Sequence, residues 1–312
     1  REMPSILNDL LHSWRSGWSQ KMSGFGAYII SCSPDDAVDR SLRLTNLLLQ
    51  LRWWRARTDI PVFLLASGWN ERMLSSLEEV QSLAISGGRV EFCPKQSVSQ
   101  NRHDQFRRFY ESAFDWAIMM DDDAILYDDH HNSGSQLFDE MMANEPSVYR
   151  GVDIFFPIDP VKSPYTKRWT SDPSFYGDHH VFKRNLDLKG SMFVVRNFLK
   201  EGRKPLMPAL DFDHVGEDGL FAVEAVAAGY SVMRCWNIVV KELRGHSFFK
   251  IDRKAKMKAG NVEIVRRYAQ IGMAMKPDSH LRDNSAFLKA TWGQRPTTVA
   301  ARKPYLGKSS TT

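Results

Sequence analysis

The sequence predicts an α/β fold: a mostly parallel, Rossmann-like sheet flanked by helices, with a basic helical C-terminal extension. Three observations predict it. Short apolar runs alternate with helix-period segments from Gly26 to Met120, the pattern of β-α units that build a parallel sheet. The run Trp116-Ala-Ile-Met-Met120 is continuously apolar, as suits a strand buried on both faces. It leads straight into Asp121, Asp122 and Asp123, and the carboxyl end of such a strand is where open α/β sheets place their ligands.

Taken in order, residues 5–22 carry Ile6, Leu7, Leu10, Leu11, Trp14 and Trp18 at helical spacing and predict an amphipathic helix packed on the main domain. Gly26 to Ser31 predicts the first strand. Ser33-Pro-Asp-Asp36 starts a helix filled by Leu42, Leu44, Leu47, Leu48, Leu49 and Leu51. Ile60 to Ala66 is the second strand, Met73 to Leu83 the second helix, Val90 to Cys93 the third strand, and Arg102 to Ala113 the third helix. Past the Asp cluster the pattern loosens. A short helix is expected at Leu137 to Met142 and a strand at Val152 to Pro157; an aromatic lid is expected from Pro160 to His180. Strands follow at Leu188 to Val195 and Ser231 to Cys235, with a helix from Gly216 to Ala228 between them. The basic helical tail comes next, and the chain from Pro296 reads as a frayed end. The expected division is 1–22, 23–246 and 247–312.

Composition bounds the function. Hydrophobic residues make up 43% of the 312, enough for a full core, and no stretch approaches the apolar length that spans a bilayer. Cys32, Cys93 and Cys235 are far apart, with no Cys-x-x-Cys pair, which argues against a disulfide framework and for a reducing compartment. No secretory signal is read, so the expected location is cytoplasmic, although a start at Arg1 leaves a trimmed leader open. From Lys241 onward 16 basic residues face 5 acidic ones, while the rest of the chain has 26 against 32. That asymmetry suits an anionic partner, a nucleotide or a nucleic acid, or else a solvated helical face. Neither Gly-x-Gly-x-x-Gly after the first strand nor Gly-x-x-x-x-Gly-Lys-Ser/Thr occurs, which disfavours dinucleotide dehydrogenases and P-loop enzymes.

Asp121 and Asp123 are two apart, so they point to one side while Asp122 points away. Paired carboxylates at a strand mouth suit a hard divalent cation that also holds substrate phosphates; the plainer alternative is an acidic turn closing a strand. His130, His131, His179 and His180 lack the spacing of a zinc site and read as polar loop residues.

In this order, a buried strand into Asp-Asp-Asp, a Gly-Ser strand, Gly216-Glu-Asp218 at a helix start and the late His246 resemble the GT-A-fold glycosyltransferases, the nucleotide-sugar-dependent enzymes with a DxD motif. The resemblance covers roughly Gly26 to His246. It implies that Asp121, Asp123 and His246 hold a divalent metal, Mn or Mg, on a nucleotide-diphosphate sugar, a UDP-sugar before others, with Asp122 beside them. It implies that Glu217 and Asp218 are the catalytic acidic pair of an inverting enzyme, with Asp218 as the base that takes the acceptor's proton. Gly190 and Ser191 would line the sugar, Arg102 would contact the diphosphate, and Ser31 and Arg40 would lie on the nucleotide-base side. The acceptor would be a hydroxyl. Glycosyltransferases that act on hydroxymethylated bases in viral DNA are one such class, and the basic C-terminal segment would then bind DNA in a host cytoplasm. Alternatives are a metal-dependent nucleotidyltransferase and a non-catalytic nucleic-acid-binding protein. Oligomeric state is not legible in the sequence.

Overall fold

All eight residues of the first strand, β1 (Phe25–Cys32), are buried, so the strand has to lie inside a sheet covered on both faces. In the computed structural model, which describes residues 24–57, 60–126, 152–158, 179–184, 188, 190–212, 216–243, 253–268 and 298–302, it does. β1 pairs in parallel with β2 (Val62–Ser67) on one side and β4 (Trp116–Asp121) on the other, and β2 pairs in parallel with β3 (Arg89–Cys93). The register sets Ile30 beside Asp121 and Cys32 beside Ser67. The carboxyl ends of these strands therefore form one edge.

Beyond β4 the sheet continues through β8 (Met192–Arg196), β6 (Ile154–Ile158), β9 (Val232–Glu242), β7 (His179–Arg184) and β10 (Thr298–Arg302). The pairings make β8 and β7 run against all the other strands of this order. A short β5 (Ala124–Leu126) pairs with the far end of β9.

The helices are α1 (Ala37–Arg57), α2 (Glu71–Ser75), α3 (Glu78–Gln81), α4 (Val98–Tyr110), α5 (Glu217–Ala227) and α6 (Arg253–Tyr268). The single helix expected over Met73 to Leu83 is broken: Asn70 caps α2, Leu77 is extended between α2 and α3, and a 3₁₀ turn follows at Ser82–Ser86. α4 begins earlier than expected because Ser97 accepts a hydrogen bond from the Gln100 amide and caps it. The expected frayed end contains β10, and His179 and His180 belong to β7 rather than to a lid. Neither strand carries a long apolar run, so only the pairing of β10 with β7 and of β7 with β9 reveals them. The helices expected at 5–22 and Leu137 to Met142 lie outside the described residues, as do lid positions 160–178. No helix of the described residues is long and apolar enough to cross a membrane.

An aromatic contact places α5. Phe106 of α4 stacks against Phe193 of β8 at 6.0 Å and meets Phe221 of α5 at 4.8 Å, a geometry that adds to the area these rings bury. The acidic start of α5 is thereby set beside the end of β4.

Gly88, just before β3, has no room for a side chain: a Cβ there would stand 2.0 Å from the Val62 carbonyl oxygen. Backbone cannot yield as a flexible side chain can. Gly88→Ala is expected to destabilise the fold by about 1–3 kcal/mol, read as a lower midpoint in chemical denaturation with an unchanged slope.

Candidate active site

The three aspartates that end β4 part ways in space. Asp121 lies on the α4 side, where Arg102 Nη2 sits 2.5 Å from its Oδ1. Asp122 turns to the α1 side and is wholly buried. Arg43 grips it with two nitrogens, Nη2 at 2.7 Å from Oδ1 and Nε at 2.9 Å from Oδ2. Ser31 Oγ donates to Oδ2 as well, while accepting from Trp69 Nε1 at 2.9 Å. Asp123 follows in the turn, with Arg43 Nη1 3.7 Å from its Oδ2. The Asp121 and Asp123 side chains keep 30% and 22% of their surface exposed.

This arrangement places two of the residues expected at the nucleotide inside the protein. Asp122, grouped from sequence with the nucleotide contacts, has both oxygens engaged inside the protein. Ser31, assigned to the nucleotide-base side, is a fully buried strut between Asp122 and Trp69. Arg40 is exposed, with Nε on the Pro34 carbonyl and Nη2 on the Asp35 carbonyl, so it braces the loop after β1. His246 lies outside the described residues.

Arg102 is buried and joins the two halves of the site. Besides Asp121, its Nη2 donates to the Gly190 carbonyl at 2.5 Å and its Nη1 to Gln105 Oε1 at 3.2 Å. The Gly190 N–H in turn donates to Asp218 Oδ2 at 2.9 Å. A Cβ on Gly190 would stand 3.1 Å from Arg102 Nη2 and 3.3 Å from Asp218 Oδ2, so a side chain there would press on both. Asp218 Oδ1 accepts from the Gly219 amide at 2.8 Å. Glu217 Oε2 accepts from the Gly216 amide at 3.2 Å. Gly216 itself has φ 110°, a conformation open to glycine.

The sequence reading missed Arg43 and Gln50. Both lie on α1, seven residues and so about two turns apart. Gln50 Nε2 donates to the carbonyls of Asp121 at 2.7 Å and Ala124 at 2.5 Å. The available signal was a polar series, Arg43, Asn46 and Gln50, interrupting a leucine-rich helix at positions that turn out to be largely buried. Glu242 was also missed. It ends β9 opposite Ala124, a pairing that no local pattern announces.

Electrostatics follows from this crowding. Burial pushes Asp121, Asp122 and Asp123 above the usual carboxylate range, while Arg43 opposes the effect at all three and Arg102 at Asp121. Asp123 is pushed up to about 7, by burial first and then by Asp122 and Asp121. Glu217 is also pushed up to about 7, by burial and then by Asp218. Burial raises the Cys32 thiol to about 12, so it stays protonated. The carboxylates of Asp121, Asp122, Asp123, Glu217, Asp218 and Glu242 thus outnumber the guanidinium groups of Arg43 and Arg102. Ser191, whose carbonyl accepts the Asp121 N–H at 3.1 Å, has a buried hydroxyl without a hydrogen-bond partner among the described residues.

Among the described residues no three His, Cys, Asp or Glu groups converge into a complete metal shell. Two partly exposed carboxylates and surplus negative charge nonetheless fit a hard dication that takes its remaining oxygens from a diphosphate. Asp121 and Asp123 are the residues that would hold it.

No protein-family profile matches the sequence, and no curated protein matches it. Solved structures do. The mannosyltransferase PcManGT from Pyrobaculum calidifontis, in complex with GDP-Man and Mn2+, aligns with a TM-score of 0.50 at 12% identity, over 89% of this chain and 76% of its own. The chain has the GT-A fold. Weaker likenesses are to GalNAc-T7 with UDP, GalNAc and Mn2+ (TM-score 0.47, 12% identity, 78% of this chain and 47% of that one) and to S. aureus TarS (0.44, 11%, 78% and 40%). This chain spans less than half of either. At such identities the likeness speaks for the GT-A fold and leaves the chemistry to the residues.

The Asp123 shift has a signed consequence. A carboxylate raised from 3.8 to about 7 binds more protons folded than unfolded between those pH values, so its contribution to stability falls as pH rises from about 4 to about 7. Asp123→Asn is therefore expected to match the parent near pH 4 and to exceed it above pH 7. The gain is at most on the order of 4 kcal/mol, measured by urea denaturation of the metal-free protein at both pH values.

Proposed function

We propose that the chain is a metal-dependent glycosyltransferase that moves a sugar from a nucleotide-diphosphate sugar to a hydroxyl acceptor, with inversion. The observation that carries the reading is the juxtaposition, through Arg102 and Gly190, of a partly exposed acidic turn and a second acidic pair at the start of α5. The two clusters match the two ends of a group transfer: one for the departing diphosphate, the other for the incoming hydroxyl.

Asp121 and Asp123 would hold Mn2+ or Mg2+ against the diphosphate, and the cation, when bound, supplies charge neutralisation for the leaving group. Arg102 lies too deep, 4% exposed, to leave Asp121 for a phosphate; its part is to orient that carboxylate. In the acidic pair the roles divide by hydrogen bonding. Backbone N–H groups bind both Asp218 oxygens, so that carboxylate is already committed to holding Gly190 and the start of α5. Glu217, raised to about 7, is poised near the working pH for proton acceptance. We assign Glu217 as the base and Asp218 as the residue that fixes Gly190. As the acceptor oxygen bonds to the anomeric carbon, its proton passes to Glu217 and the bond to the diphosphate oxygen breaks.

For the acceptor, a hydroxymethylated base in DNA is one candidate, supported by the basic composition of the C-terminal segment. Arg266 and Arg267 of α6 are paired with Glu263, and Arg267 also with Asp211, so phosphate binding there would fall to the lysines, such as the exposed Lys258.

UDP or GDP with Mn2+ is expected to raise thermal stability, by about 2.7 kcal/mol at a hundredfold the Kd, and Asp123→Ala to abolish the shift; no shift with any nucleoside diphosphate would refute the donor site. In sugar transfer, Glu217→Gln should lower kcat about 10²–10⁴-fold and remove a rate limb near pH 7. Were Asp218→Asn to do this while Glu217→Gln stayed active, the two roles would be exchanged.

A further inference from the structure

We infer that Gln50 is a positioning residue for the cation and diphosphate, a role that rests on Asp121 and Asp123 being the pair that holds them. Its side chain is wholly buried and touches neither carboxylate in the hydrogen bonds it makes. One amide nitrogen instead joins the carbonyls of Asp121 and Ala124, the residues on either side of Asp122 and Asp123. The bridge spans the turn and fixes the spacing of Asp121 and Ala124, the two backbone points between which Asp123 is carried.

Two features separate this from ordinary packing. The Gln50 Oε1 is buried without a hydrogen-bond partner among the described residues, a cost that an apolar side chain would avoid. Its donor also acts on the turn whose exposed groups carry surplus negative charge, while Arg43, two turns earlier on α1, grips the one aspartate that faces inward. Gln50 sets the backbone of the turn and Arg43 its middle side chain, so Asp121 and Asp123 meet a cation already spaced. Groups that orient metal ligands from outside the first ring of contacts typically change metal affinity 10–100-fold when removed.

The test is Mn2+ binding, read from the electron paramagnetic resonance signal of the free ion with UDP or GDP present. The parent protein should bind, and Asp123→Ala should not; failure of the parent to bind with either diphosphate would overturn the site itself, before any variant of Gln50 is considered. Gln50→Met keeps the volume and loses the donor, and should raise the Mn2+ Kd 10–100-fold. The control is Asn197→Ala, at the opposite end of β4, where the Asn197 amide holds the Phe114 carbonyl. It should lower the melting temperature without moving the Kd. Wild-type affinity in Gln50→Met, or an equal affinity loss in the control at equal loss of stability, would overturn the proposal. If Gln50→Met does not fold, Gln50→Asn carries the same test: its shorter amide cannot span both carbonyls, so a weaker Kd is expected and wild-type affinity is the overturning result.

Discussion

The ion pair between Asp122 and Arg43 constrains everything around it. A carboxylate without exposed surface is tolerated in an interior only if charge and hydrogen bonds meet it. Arg43 and Ser31 do this together, and Ser31 is itself held by Trp69. The arrangement ties α1, β1 and the loop after β2 to the end of β4. Because side chains alternate along a strand, fixing Asp122 toward α1 sends Asp121 to the other face, where Arg102 receives it. The inward residue of the triplet is thus the reason the other two reach the surface in a defined arrangement.

The second half of the molecule is attached to this point by Arg102 and Gly190. Strand β8 runs against β4, so its beginning lies at the same edge as the end of β4, and Gly190 precedes it. The absence of a side chain at Gly190 lets the guanidinium and the Asp218 carboxylate approach one peptide from both sides. Two acidic clusters that would repel one another are held together by a buried cation and a backbone amide. Carboxylates still outnumber guanidinium groups at this edge, a balance that suits a dication.

The distant likeness to the mannosyltransferase fits this picture. At 12% identity little of the surface or core is shared in detail, yet a fold is retained whose parallel strands deliver several carboxyl ends to one edge. That edge is a place where chemistry can vary with a few residues while the sheet stays fixed.

By itself the sequence determined the parallel half of the sheet, the strand that ends in Asp121 to Asp123, and the Gly-Glu-Asp helix start. Each is written in a local pattern of apolar periods, caps and glycines. Tertiary structure decided the rest. A strand's alternation says that Asp121 and Asp122 diverge, but which one is buried depends on whether an arginine waits on α1 or on α4, nearly eighty residues from the triplet in one case (|i−j| = 79 for Arg43 and Asp122). Gln50 looked like an ordinary helix residue until its partners at Asp121 and Ala124 came beside it. The strands β7 and β10 exist through pairing, β10 with β7 and β7 with β9, since neither sequence carries an apolar period strong enough to specify a strand alone. Local chemistry wrote the elements; charge burial, which only contact across the chain can resolve, chose the site.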